Sequence, residues 1–181
     1  MKRMYTEHPY NWVPIGSMDH LNAAQLDEFM AFYKKFYVPN NATLSIAGDI
    51  DIEKTKELIQ AYFGEIPKGA EVMQPAVQEP ALGGEKTATI YDNIQLPAIM
   101  MGYRMPPQTS DDAYALQMAS SVLSGGPSSR MYKRLVDQDQ TALQVVAFPF
   151  SLEQGGAFIT FSLANAGKTI DDMVPALEEE I

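Results

Sequence analysis

The sequence predicts an α+β fold in which a sheet packs against helices. Apolar residues recur at helical spacing in several separate stretches, and strictly alternating or β-rich runs lie between them. Glycine and proline punctuate the junctions, and runs of helix and strand in this order suit a sheet covered by helices on one face.

Residues 1–21 read as irregular, broken by Pro9, Pro14 and Gly16. A helix is expected from Asn22 as N-cap, with Leu26, Phe29, Met30, Tyr33, Phe36 and Tyr37 on its apolar side, stopping at Pro39. The aromatic stripe from Phe29 to Tyr37 reads mostly as core, with Tyr33 left for an inter-domain contact. Ala42–Ala47 alternates as a strand, and Asp51 is placed to cap a helix from Ile52 to Phe63, closed by Gly64. Residues 68–85 carry Pro75, Pro80, Gly83 and Gly84 without periodicity and read as a linker. The expected organisation is therefore a first portion over 1–67, the linker, and a second portion over 86–181.

The second portion opens with strand candidates at Thr87–Tyr91 and Ala98–Arg104, the latter closed by Pro106-Pro107. Ser110 or Asp111 then caps a helix to about Leu123, with Ala115, Leu116, Ala119 and Val122 inward. Gly125-Gly126-Pro127 breaks it, and Ser128 caps a short helix through Met131, Leu135 and Val136. Leu143–Phe150 and Ala157–Leu163 read as strands joined by a Gly155-Gly156 turn, and a last helix begins near Thr169, with Pro175 as a kink or a first turn. That helix stops at Ile181 without a C-cap and the N-terminus opens in loop-like sequence, so the chain reads as a segment of a longer protein.

The 181 residues carry a formal charge of -10, which repels phosphate backbones and argues against a nucleic-acid partner. No run approaches the ~20 apolar residues of a membrane span, and Met1-Lys2-Arg3-Met4 leads into no apolar signal segment. There is no cysteine, hence no disulfide, thiolate metal site or cysteine nucleophile.

The chemistry-bearing residues form no constellation. His8 and His20 are the only histidines; they lie twelve apart in proline-interrupted sequence, unlike the i, i+4 pair that lets two imidazoles meet one ion, and are expected to hydrogen-bond structurally. Gly125-Gly126-Pro127-Ser128-Ser129 lacks the lysine and spacing of a phosphate loop, and no serine sits in a nucleophile elbow. Asp111-Asp112 and Asp171-Asp172 fall at expected helix starts, where negative charge suits the dipole, and Glu178-Glu179-Glu180 reads as a solvated face. Asn41-Ala42-Thr43 is a short glycosylation sequon with little weight of its own.

Four segments, in order and spacing, carry a resemblance. They are His8-Pro9-Tyr10-Asn11-Trp12 with Ile15-Gly16-Ser17; Phe32-Tyr33 through Tyr37-Val38-Pro39-Asn40-Asn41-Ala42-Thr43-Leu44 into Ala47-Gly48-Asp49; Tyr62-Phe63-Gly64-Glu65-Ile66-Pro67; and Leu123 to Leu135 around Gly125-Gly126-Pro127-Ser128-Ser129-Arg130-Met131. Together they resemble the pitrilysin/insulinase family of zinc peptidases, which includes mitochondrial processing peptidase.

The resemblance implies paired α+β domains of the LuxS/mitochondrial-processing-peptidase type. It also implies that the chain covers the end of a first domain and most of a second, non-catalytic one. Family zinc sits on an inverted H-x-x-E-H helix and a distant Glu, which would lie upstream of His8, so no cofactor is expected in this chain and zinc only in an active parent. The partner half of such peptidases supplies an Arg and a Tyr seven residues apart that hold substrate. Anchored on Leu135, that pattern falls on Val136 and Leu143, neither of which can donate a side-chain hydrogen bond. The implied role is the substrate-enclosing part of a zinc metalloendopeptidase, inactive alone, or else a non-catalytic half that clamps peptide for a separate catalytic subunit. The implied partners are unfolded peptide and the other half of the clamp, with self-association of the isolated chain. The resemblance fits a bacterial protein of periplasm or cytoplasm.

Overall fold

A computed structural model describes residues 1–74 and 76–181, so Pro75, one of the linker prolines, lies outside the described residues. The chain forms two compact units, Trp12–Gln78 and Met1–Asn11 joined with Glu79–Ile181.

Among the described residues, Trp12–Gln78 holds three α-helices and a 3-10 turn at Pro39–Asn41. Helix α1, Met18–Ala23, is capped by Ser17, whose hydroxyl accepts the His20 amide at 3.2 Å. Helix α2, Leu26–Phe36, starts anew after Ala24, and the Glu28 carboxylate accepts the Gln25 N–H at 2.8 Å. The single helix expected from Asn22 is thus two, because Ser17 and Gln25 each begin a separate capped turn. Helix α3, Ile52–Phe63, starts as expected: Asp51 accepts the Lys54 amide at 2.9 Å. The strand expected over 42–47 does not form, since no described segment offers it a ladder. No described residue of this unit is buried. The aromatic stripe is therefore not core: Phe29, Phe32, Tyr33 and Tyr37 are all exposed.

The other unit is built on a three-stranded antiparallel sheet. Strand β1, Ala98–Arg104, forms as expected, whereas 87–91 makes no strand among the described residues. Helix α4, Asp111–Ser124, is capped by Ser110. Its inward positions are Ala113, Leu116 and Leu123; Val122 and Ala115 point to solvent, one step around the helix from the expected face. After Gly125 and Gly126 the chain forms a π-helix, Tyr132–Gln138, in place of the short α-helix expected from Ser128. Strand β2, Ala142–Leu152, and strand β3, Gly155–Ala164, form a hairpin whose turn is Glu153-Gln154, so the two glycines expected to turn the chain lie inside β3. Gly156 is required there, because a Cβ would meet the Phe150 carbonyl oxygen at 2.3 Å. Helix α5, Val174–Glu180, begins later than expected, with Pro175 in its first turn. Asp172 instead closes the preceding turn, accepting the Thr169 N–H and hydroxyl at 2.8 Å each. These two bonds hold its carboxyl below the ordinary range.

The strand order is β1-β3-β2, so β3 hydrogen-bonds on both sides. Successive side chains of a strand point to opposite faces. One face carries Ile99, Met101, Val145, Ala147, Phe158 and Ala164, which pack with Leu123, Met131, Leu135, Met173 and Leu177 into the core. The Ser124 hydroxyl accepts the Ala147 N–H at 2.7 Å and so ties the end of α4 to the edge strand β2.

Leu135 is fully buried at the centre of this core. Leu135→Ala is expected to cost about 2–5 kcal/mol in urea unfolding, by lost transfer energy and a residual cavity.

Candidate apolar sheet face

The second face of the sheet bears Met100, Val146, Phe148, Phe150, Ile159 and Phe161, the residues that alternate with the core positions. Met100 is 66% exposed, and Phe148 and Phe150 are 39% and 43% exposed. On β3 the usual sorting is inverted. The buried positions hold Phe158, Thr160, Ser162 and Ala164, and the half-buried ones Ile159, Phe161 and Leu163. The Thr160 and Ser162 hydroxyls find no partner among the described residues. A strand whose register was chosen only to bury its own large apolar side chains would be turned over. β3 therefore turns its larger apolar side chains to the face away from the core. The side chains of that face offer no nucleophile, acid or base, only contact area.

One end of this face is already covered by the N-terminal segment. A Cβ on Gly102 would meet Met4 Sδ at 2.9 Å, so Met4 lies on the open side of β1. The Tyr5 hydroxyl donates to Gly156 O at 2.7 Å and accepts Gly156 N–H at 2.9 Å. His8 does what the sequence suggested, using both ring nitrogens structurally. Nδ1 accepts the Tyr10 amide at 3.2 Å, which leaves Nε2 to donate to Gln154 Oε1 at 2.9 Å in the hairpin turn. The Tyr10 hydroxyl accepts the Gln154 N–H at 3.0 Å.

Glu79 fixes this segment. Its carboxylate accepts the amides of Thr6, Glu7 and His8 at 2.7, 2.9 and 2.7 Å, and the Thr6 hydroxyl at 2.9 Å. Arg104 pairs with it at 2.9 Å, donates to the Met4 and Pro80 carbonyls, and lies over the Tyr5 ring. Desolvation raises the Glu79 pKa, but the amides of His8, Thr6 and Glu7 and the Thr6 hydroxyl together outweigh it and bring it to about 2. Nothing in the sequence singled out Glu79, because the amides it serves lie 71 to 73 positions away.

Among the described residues no group of three His, Asp or Glu side chains could hold a metal, and the occupied ring nitrogens of His8 do not fit zinc. Val136 packs partly buried against the core, while Leu143 is exposed at the β-bulge between Ala142 and Gln144. A depression beside the π-helix has its arginines matched by carboxylates, Arg130 with Glu180 at 2.8 Å and Arg134 with Asp139 at 2.7 Å.

The sequence pattern described as the Peptidase M16 inactive domain matches residues 23–181. The chain belongs to the peptidase M16 family. It is 31% identical over 180 residues to the zinc protease PqqE of Helicobacter pylori, covering 98% of this chain and 40% of that protein. The crystal structure of a protease from Helicobacter pylori superposes with a TM-score of 0.81 at 29% identity, covering 97% of this chain and 44% of that one. The peptidase M16 inactive domain from Pseudomonas fluorescens shares the fold, with a TM-score of 0.65 at 18% identity over 98% of this chain and 48% of its own. The chain spans less than half the length of each of these relatives. The pitrilysin/insulinase resemblance and the α+β fold are borne out. No helix among the described residues is long and apolar enough to cross a membrane.

The low pKa of Glu79 sets a pH window. A carboxyl lowered from 4.5 to about 2 on folding contributes stability that is complete above 4.5 and disappears as pH falls through about 2. Carboxyl-carbon NMR of Glu79 should stay flat from pH 7 to 4 and titrate near 2; a midpoint near 4.5 would show that the amides and the Thr6 hydroxyl do not hold it.

Proposed function

We propose that this chain is the non-catalytic, substrate-enclosing part of a zinc metalloendopeptidase, whose zinc site lies outside it. The observation that carries the reading is the inverted β3, which leaves a wide apolar sheet face with no reactive group. Such a face can hold the apolar side chains of an unfolded peptide without preference for sequence, because burial is non-directional. Catalysis would come from polypeptide beyond the matched stretch, as H-x-x-E-H and a distant Glu. Val136 and Leu143 stand where the family's substrate-holding Arg and Tyr would, so this part would contribute shape and not orientation. The division into 1–67, the linker 68–85 and 86–181 belongs to the same reading.

The second reading is a scaffold half that clamps peptide for a separate catalytic subunit; the apolar side chains at 136 and 143 suit it only if the parent has lost both the Arg–Tyr pair and the zinc site. The exposed side chains of Trp12–Gln78 suit either reading as surface awaiting the other half of the clamp, and predict self-association of the isolated chain.

The isolated chain should bind an unfolded apolar peptide by fluorescence anisotropy, and the Phe148→Asp, Phe161→Asp pair should weaken binding by roughly tenfold or more. The same preparation should carry no stoichiometric zinc and cleave nothing; zinc at a defined site would overturn the reading. Light scattering should show a mass above the monomer. In the full-length protein, an H-x-x-E-H whose loss abolishes cleavage supports the peptidase reading, and its absence supports the scaffold.

A further inference from the structure

The segment Met1–Asn11 crosses one end of the sheet face opposite the core. Ala157 lies on that face, between Arg104 on β1 and Phe150 on β2, yet it is fully buried. Phe150, beside it on the face, is 43% exposed. Arg104 accounts for the difference, since its guanidinium reaches Met4 O and lies over the Tyr5 ring, and Tyr5 is bonded to Gly156 next to Ala157. Gly102 adds room for Met4 on the same side of the sheet.

All of this converges on one carboxylate. Three successive amides, Thr6 to His8, point at Glu79, whose side chain is 9% exposed. Successive N–H groups aimed at one centre form an anion-binding nest. Here the anion is the chain's own, and Arg104 completes it. Thr6–His8 come just before the chain leaves this unit at Asn11, and Glu79 is the residue at which it returns. The same bonds therefore tie the exit to the re-entry.

We propose that Glu79 is a lock that holds Met1–Asn11 as a strap over one end of the apolar sheet face, fixing how much of that face is open. The lock rests on hydrogen bonds within this unit and on no assumption about peptide binding. Releasing it would extend the open face over Ala157.

The sequence has no cysteine, so a single introduced thiol reports local opening. Ala157→Cys lies under the strap, and Ala147→Cys, on the helix-covered face, reports the core. Each is made alone and with Glu79→Ala, and thiol labelling rates are compared. Labelling of Ala157→Cys should quicken by roughly tenfold or more with Glu79→Ala, while Ala147→Cys stays protected. No change at either site would overturn the lock. Equal acceleration at both would also overturn it, showing that Glu79 supports the whole fold. Gly102→Leu, which crowds Met4 and leaves Glu79 in place, should quicken Ala157→Cys alone by displacing the strap directly; no change would remove the strap from the account.

Discussion

The pairing of β3 with both neighbours is the constraint on which the rest depends. Its register assigns every side chain from Ala98 to Ala164 in the three strands to one face or the other. A shift of one residue would bury Ile159, Phe161 and Leu163 and expose Thr160 and Ser162, which hydrophobicity alone would favour. The observed register is held from outside β3. Ser124 fixes Ala147 on one side, Tyr5 fixes Gly156 at the start of the strand, and Leu135 and Leu177 fill the covered face. The open apolar face is thus a consequence of packing elsewhere, and it costs the unit burial that it could otherwise have had.

The two units differ in how they meet the same need. In one, helices and sheet enclose Met131, Leu135, Met173 and Leu177 completely. In Trp12–Gln78, helices of six to twelve residues keep clear apolar stripes with no buried residue. Helices that short are marginal in water without tertiary packing, whatever their caps. Ser17, Glu28 and Asp51 set where they begin, but caps contribute only about 1 kcal/mol each. Burying the stripes would stabilise these helices more than their caps do, and the stripes are still exposed.

What was legible in the sequence was local. Asp51 and Ser110 announced α3 and α4 because a cap and the helix it starts are neighbours in the chain, and β1 to β3 were announced as β-rich runs between glycine and proline breaks. What was not legible depended on distant partners. Ala42–Ala47 and Thr87–Tyr91 have strand patterns but no ladder among the described residues. Gly155-Gly156 looked like a turn because glycines usually turn chains, whereas Gly156 serves a close approach of Phe150. The stripe from Phe29 to Tyr37 read as core because spacing records which residues share a face, not whether anything covers it. Glu79 was invisible for the same reason: a carboxylate's partners more than seventy residues away leave no mark in its own neighbourhood.

The face and the strap follow one physical logic. A surface that works by burial needs area and a boundary, and neither requires a reactive side chain. Phe148, Phe150 and Phe161 supply area. Met4 and Tyr5, held by Glu79 and Arg104, supply the boundary. The substitutions that matter most are then not at histidines or carboxylates poised for chemistry. They are a charge placed among the open phenylalanines, which a covering apolar group could not accept without desolvating it, and the loss of one carboxylate whose task is to hold backbone.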